Sequence, residues 1–308
     1  MAAHVVVVGS INADLSVQVS RRPAPGETVP GDSALVRPGG KGANQAVAAA
    51  LLGAQVTMVG AVGDDANATV ALEQIDASGL DHTHVRRLPG PTGLAIVVVD
   101  EHGENSIIVI PGANLSVDAE LVAQNAKTIR EAAVVVAQGE IPASGTAQAA
   151  SLTTGRFILN LAPAISLPTE VIRQADPLVV NEHEAELVLA ALRPDRHAST
   201  TASHDELARA LLETGIPSVV MTLGAQGSLV AEQQTGGVTT VPSATIASVD
   251  STGAGDAFVG ALATQLADGQ SLVEAARFAS RVGAFACTRP GAQDSYPTRN
   301  DALPPLND

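Results

Sequence analysis

The chain has 308 residues, a formal charge of −15, 45% hydrophobic residues and only 2% aromatics. That length is enough for a substantial core, in one large α/β unit or in two domains, and with so few aromatics the core must be packed from Ala, Val, Leu and Ile. The charge excludes non-specific nucleic-acid binding, because there is no basic surplus to neutralise phosphates, so any anionic ligand has to be held by amides and a few cations.

Val5 to Val8, followed by Gly9, reads as a buried parallel strand. The run is too short for a signal peptide or a membrane span. The loop Ser10 to Asp14 leaves its carboxyl end, where open α/β sheets place ligands, and Gly9 lacks the companion glycines of a dinucleotide fingerprint. Leu15, Val17 and Val19 alternate with polar residues and predict a half-exposed strand outside the main sheet. Leu94 to Val99 and Ser106 to Ile110, joined by Glu101-His102-Gly103-Glu104, predict a hairpin in the same layer. Such a small sheet is placed to cover a ligand.

Pro38-Gly39-Gly40-Lys41-Gly42-Ala43-Asn44-Gln45-Ala46 runs into an Ala-rich helix ending near Gly53. It departs from a P-loop at Leu35 and Gly42, so Lys41 and Asn44 are read either as a cation and an amide at a ligand-facing helix start or as a surface turn. From residue 56, strands alternate with helices: strands at 56–62, 133–137, 156–159, 178–180 and 218–222, helices at 66–78, 143–151, 184–192 and 205–214. That rhythm predicts a doubly wound, mostly parallel sheet flanked by helices. Polar residues gather at the strand ends: Gln138, Glu140, Asn160, Asn181, Glu184, and Thr222 to Gly227. Asn181 and Glu184 are read either as oxygen donors for a hydrated Mg²⁺ or as a helix-capping pair. The polar stretch 193–204 carries no assignment.

A strand-like run from Thr245 to Val249 meets Gly253, Ala254 and Gly255 and then an apolar-periodic helix to Ala267, with a second helix from Leu272 to about Cys287. Such a junction aims free amides at one spot, which suits an anion. Asp256, in the first helical turn, is read either as a base taking a proton from an attacking hydroxyl or as a helix-start carboxylate. Cys287, the one cysteine, allows no internal disulfide and fits a reducing compartment; a cytoplasmic protein is expected.

In order along nearly the whole chain, Gly9 to Asp14, Pro25-Gly26-Glu27-Thr28, Gly39 to Ala46, Gly112-Ala113-Asn114, Asn181 to Glu186, Thr222 to Gly227, Gly253-Ala254-Gly255-Asp256, and Arg289 with Gly291-Ala292-Gln293 resemble the motifs of the ribokinase-like (PfkB-type) carbohydrate kinases. The resemblance implies one ribokinase-like domain over residues 1–308, with a lid from segments of about 14–38 and 92–111. It implies transfer of the γ-phosphate of ATP to the 5-hydroxyl of D-ribose. Asn12, Ala13, Asp14, Gly40, Lys41, Gly42, Ala43, Asn44, Glu140 and Asp256 would hold the sugar. Asp256 would be the base, and the amides of Gly253, Ala254 and Gly255 the anion hole. Asn181, Thr222, Leu223, Gly224, Ala225, Gln226, Gly227, Gly255, Asp256 and Ser280 would meet the nucleotide, with Asn181 and Glu184 acting on Mg²⁺ through water. A potassium site maps onto Asp250, Thr252, Ala286, Arg289, Gly291 and Ser295, and a homodimer through the lid sheet is implied. Departures from the family pattern are Pro38, at the lid hinge, and Ser280, at a nucleotide contact; Ala95 and Val109 are the lid residues expected to face the sugar. Rival readings are a kinase for a nucleoside, a ketohexose or deoxyribose, and a non-catalytic sugar-binding protein. Stacking a nucleoside base would call on aromatics, of which the chain has four Phe and one Tyr.

Overall fold

A computed structural model of the chain describes residues 4–102, 105–194 and 203–307. In chain order the elements are β1 (His4–Val8), β2 (Asn12–Val19), β3 (Gly31–Gly39), α1 (Lys41–Leu51), β4 (Gln55–Val62), α2 (Asn67–Ser78), β5 (Asp81–Arg87), β6 (Gly93–Val99), β7 (Asn105–Ile110), α3 (Ala119–Gln124) and α4 (Ala126–Glu131). They continue with β8 (Val134–Gln138), α5 (Ala143–Leu152), β9 (Arg156–Asn160), α6 (Thr169–Ile172), β10 (Leu178–Asn181), α7 (Glu182–Leu192), α8 (His204–Leu212) and β11 (Ser218–Thr222). The last are β12 (Ser228–Glu232), β13 (Val238–Val241), α9 (Ala254–Ala267) and α10 (Leu272–Ala286).

The short β-branched runs, such as Val5 to Val8, are buried on both sides and form the middle of the larger sheet. Its order is β13-β12-β11-β10-β9-β8-β1-β4-β5, parallel from β5 to β11 and antiparallel across β12 and β13. Alternate residues of β1 face opposite layers: Val5 and Val7 pack with α1, α9 and α10, Val6 and Val8 with the layer that holds α3 and α5. Strand order reverses at β1, which lies between β4 and β8, so the crevice beyond its carboxyl end is the topological switch point. Register places Val8 opposite Ala137, Gln138 opposite Asn160, and Asn181 opposite Thr222, so the polar strand ends share one edge.

A separate four-stranded sheet, β3-β2-β6-β7, rises from that edge. β2 starts at Asn12, after a loop of only Gly9, Ser10 and Ile11, so Asn12 to Asp14, expected as loop, open the strand; β2 pairs with β3 antiparallel and β6 parallel. Pro38 sits near the end of β3, an edge strand, where a missing N–H costs no ladder bond inside the sheet. Among the described residues no helix is long and apolar enough to cross a membrane.

The structure corrects one expected element: Thr245 to Val249 is not a strand. Its backbone follows no ladder; Val249 N–H donates to the Cys287 carbonyl at 2.8 Å, at the end of α10. The parallel run instead ends in a β12–β13 hairpin, which the sequence reading did not place; nor did it place β5, α3 or α4. Gly103 and Glu104 of the expected hairpin turn and residues 195–202 of the unassigned loop lie outside the described residues, while Ser203, the next residue, caps α8 by accepting from Glu206 N–H at 3.3 Å.

Candidate active site

The switch-point crevice is built on the turn between β3 and α1. Gly40 has φ +88°, and a Cβ there would come within 2.8 Å of the Asn12 amide nitrogen, so only glycine permits the chain to press against the β1 loop. Ser10 then cross-links the two turns: its hydroxyl donates to Glu140 Oε2 at 2.6 Å and accepts from Gly42 N–H at 3.2 Å. Lys41 N–H also donates to Glu140 Oε2, at 3.1 Å. Asn114 fixes the next residues, accepting from Ile11 N–H at 2.9 Å and donating to Asn12 Oδ1 at 2.7 Å.

Asn12, Asp14, Lys41, Asn44 and Glu140, all expected around one sugar, are therefore delivered to one crevice. Ala13 and Ala43 are fully buried and act through backbone and packing. Asp14 lies beside Ala95 in the β2–β6 register, and its Oδ1 is buried with no hydrogen-bond partner. Burial, the Glu140 carboxylate and the Asp256 carboxylate, against the opposing Lys41 charge, raise the Asp14 pKa to about 7. The Lys41 ammonium is held above its ordinary value, first by Asp256, with Glu140, Glu184 and Asp14 adding, although burial opposes them. An unpartnered buried carboxylate oxygen beside a cation is a fitting contact for a ligand hydroxyl. Ala95 is buried; Val109, its partner across the β6–β7 ladder, is half exposed.

Asp256 is the third residue of α9 and is buried. Helix α9 approaches α1 so closely that a Cβ on Gly260 would lie 2.6 Å from the Gln45 carbonyl. That approach brings Asp256 Oδ2 to Asn44 Nδ2 and Asp256 Oδ1 to Gln45 Nε2, each at 2.9 Å. No side chain caps the start of α9, and Gly253, in the left-handed region at φ +73°, turns the chain into it. Of the three amides expected to hold an anion, that of Ala254 is engaged, donating to the Ser251 carbonyl at 3.2 Å.

On the other side of this turn lies a cleft of about 620 Å³ lined by Thr222, Gly224, Ala225, Gly227, Ala254, Gly255, Phe258 and Ser280, among others. The first turn of α9 thus stands between crevice and cleft. Leu223 points away into the core, and Gln226, Asn181 and Asp256 are not among the cleft's lining residues, so those four expected nucleotide contacts are not wall side chains. Part of the wall comes from Ser243 to Ile246, the stretch expected in part as strand.

Of the expected potassium residues, Thr252 and Gly291 meet Asp250, whose oxygens accept from Thr252 N–H at 2.9 Å and Gly291 N–H at 2.7 Å. Burial works against these amide bonds, yet they hold its carboxyl below the usual range. Arg289 lays its guanidinium over Phe285, 4.7 Å from the ring centroid, and Ser295 donates its buried hydroxyl to the Ala292 carbonyl at 2.7 Å. The Ala286 carbonyl accepts from Arg289 N–H at 3.4 Å, and a donor set of one carboxylate with main-chain carbonyls is of the oxygen type that hard cations take.

Asn181 and Glu184 form a reciprocal capping box, the Asn181 side chain accepting from Glu184 N–H at 2.8 Å and Glu184 Oε2 from Asn181 N–H at 2.9 Å. The capping alternative is therefore realised, and it leaves Glu184 Oε1 for a water. Burial raises the Glu184 pKa, partly offset by its bond from Asn181 and by the Lys41 charge. Among the described residues no group of three or more His, Cys, Asp or Glu could cage a metal.

The sequence reading missed four amides that lock this arrangement: Gln45, Gln138, Asn160 and Gln293. Gln138 and Asn160 were visible as polar strand ends, and Gln45 and Gln293 lay inside quoted motifs, but their bonding to one another had no local signal.

Residues 2–299 match the model of the pfkB family carbohydrate kinases. A ribokinase of Bacillus subtilis is 38% identical over 302 residues, covering 97% of this chain and 97% of its own. The structure of a ribokinase from Thermotoga maritima superposes with a TM-score of 0.88 at 34% identity, and that of an Arabidopsis thaliana ribokinase complexed with ribose and ATP with 0.85 at 33%, each covering 97% of both chains.

Proposed function

The chain belongs to the pfkB family of carbohydrate kinases, and from that premise we propose that it phosphorylates D-ribose on the 5-hydroxyl with ATP, releasing ADP and ribose 5-phosphate. The observation that carries this reading is the position of Asp256, held by Asn44 and Gln45 at the turn between a polar crevice and an open cleft. The sugar occupies the crevice, with Asn12, Asp14, Lys41, Asn44 and Glu140 on its hydroxyls. The nucleotide occupies the cleft, its phosphates reaching the start of α9.

The 5-oxygen attacks the γ-phosphorus, its proton passes to Asp256, and the bond from that phosphorus to the β–γ bridging oxygen breaks. The amide of Gly255 and the positive end of α9 face the charge on the transferred group. Lys41 holds negative charge in the crevice. Asn181 and Glu184 would meet the water shell of a Mg²⁺ ion, which would neutralise the nucleotide phosphates; Asp250, Thr252, Ala286, Arg289, Gly291 and Ser295 would hold K⁺, which would steady the loop against α9.

The β3-β2-β6-β7 sheet is the lid. Leu35, Ile107 and Ile108 are at least half exposed on its outer strands, which favours a homodimer formed through it. A different acceptor, such as deoxyribose or a ketohexose, keeps the same machinery. A pure sugar-binding protein has no use for a buried carboxylate aimed at phosphate. An acceptor panel with ATP and Mg²⁺, read as ADP release, tests the reading: ribose should give the highest kcat/KM, and a nucleoside or ketohexose in the lead would reject it.

A further inference from the structure

Five buried amide side chains converge on Asp256 in two arms. In one, Gln138 Nε2 donates to Gln45 Oε1 at 2.8 Å, and Gln45 Nε2 donates to both Asn160 Oδ1 and Asp256 Oδ1, each at 2.9 Å. In the other, Gln293 Nε2 donates to Asn44 Oδ1 at 2.8 Å, and Asn44 Nδ2 donates to Asp256 Oδ2 at 2.9 Å. An amide can be turned end for end, which would present an oxygen to the carboxylate, so what fixes the polarity matters.

It is fixed at a backbone carbonyl. Asn160 Nδ2 donates to the Val179 carbonyl at 3.1 Å, and that oxygen can only accept. Asn160 must therefore offer Oδ1 to Gln45, and Gln45 must meet it with Nε2. Both hydrogens of Gln45 Nε2 are then used, one on Asn160 and one on Asp256, and Gln45 Oε1 is left for Gln138. A flipped Gln45 would set oxygen against two oxygens and nitrogen against nitrogen, a cost of several hydrogen bonds in a site where Gln45 is 1% exposed.

We propose that Gln45 is a positioning residue for the base: through the Val179–Asn160–Gln45 chain the fold of β9 and β10 holds Asp256 Oδ1 as an acceptor and aims the carboxylate, while Gln293 does the same for Oδ2 through Asn44. Gln45 need not touch the sugar to do this. The inference rests on Asp256 being the base of the reaction proposed above. The charged or titratable groups coupled to Asp256 are Lys41 of α1, Asp14 of β2, Glu184 of α7 and the Tyr296 hydroxyl, whose proton burial holds on well above the ordinary range. All four remain in the variants below, so a change in the pH profile reports on the donors to Asp256.

The test is steady-state kinetics of the full chain with ribose and ATP from pH 5 to pH 9, for wild type, Gln45→Met, Gln293→Met and Asp256→Asn. Gln45→Met should lower kcat by about ten- to a hundred-fold, the effect of one lost hydrogen bond to a charged group. It should leave the sugar KM within about threefold, and shift the acid limb of kcat to higher pH, because the ionised carboxylate has lost a donor. Gln293→Met should shift the limb the same way by less, and decides the matter if Gln45→Met does not fold. A limb that stays in place in the folded variants, whether or not kcat falls, would overturn the inference. Loss of turnover in Asp256→Asn with an unmoved limb in Gln45→Met rejects the positioning alone; full turnover in Asp256→Asn rejects the base itself.

Discussion

Asn44 Nδ2 lies 2.9 Å from Asp256 Oδ2, across 212 residues of sequence, and this bond joins the first turn of α1 to the first turn of α9. The crevice half of the site and the anion half are thereby set against each other before any ligand arrives. Because the carboxylate is already oriented, its chemistry can be removed without dismantling the pocket.

Asp256→Asn should reduce kcat by roughly 10²- to 10⁴-fold, the usual loss on removing a general base, with sugar affinity changed by no more than a few-fold. Single-turnover phosphotransfer and calorimetric titration of ribose separate the two effects. Equal losses in both would place Asp256 in binding instead of proton transfer.

Gly255 is exposed, and a Cβ added to it would meet nothing within 4 Å. The fold therefore does not demand glycine there; inside α9, alanine should raise stability by about 0.5–1 kcal/mol. The open space is where the nucleotide phosphates are expected, so Gly255→Ala should keep or raise the melting temperature while lowering kcat/KM for ATP by about tenfold or more. A variant that is both stable and fully active would remove the phosphates from this spot.

Asp14 has a pH signature. In the folded protein its pKa is raised to about 7, so between about pH 4 and pH 7 the native state keeps a proton that the unfolded chain has released. Stability at this site is greatest below that window and falls as pH rises through it, by on the order of 4 kcal/mol. Asp14→Asn removes the slope. In denaturant melts the variant should be more stable than wild type at pH 8 and close to it at pH 4.5, while sugar affinity drops at least about tenfold. The same stability difference at both pH values would contradict the assignment.

Ile107 and Ile108 of β7 are 56% and 60% exposed on an outer strand of the small sheet. If that sheet pairs with a second copy, Ile108→Lys should shift the sedimentation coefficient from dimer to monomer with little change in the far-UV spectrum. An unchanged coefficient would put the subunit contact elsewhere or show the chain to be a monomer.

Much of this site was legible along the chain because its parts are local. Gly39 to Gln45 and Gly253 to Asp256 each carry a turn, a helix start and a polar side chain within a few residues, and the βα rhythm ordered the sheet around them. What was not legible depends on pairing at a distance. Gln293 meets Asn44 across 249 residues, and no spacing announces it. β5, with Asp81, His82, His84, Arg86 and Arg87, has neither apolar run nor clean alternation and is a strand because β4 offers it a ladder. Thr245 to Val249 has the β-branched residues of a strand but no neighbour to pair with, since the antiparallel β12–β13 hairpin already ends the sheet and the segment turns along the cleft.

Phosphoryl transfer from ATP to the 5-oxygen of ribose by way of Asp256 is read directly by proton-coupled ³¹P NMR of a reaction containing the protein, ATP, Mg²⁺, K⁺ and D-ribose. A phosphomonoester signal split into a triplet by the two C5 protons, absent with Asp256→Asn, is the predicted result. A doublet from phosphate on a ring carbon bearing one proton, or inorganic phosphate with no sugar ester at all, would contradict it.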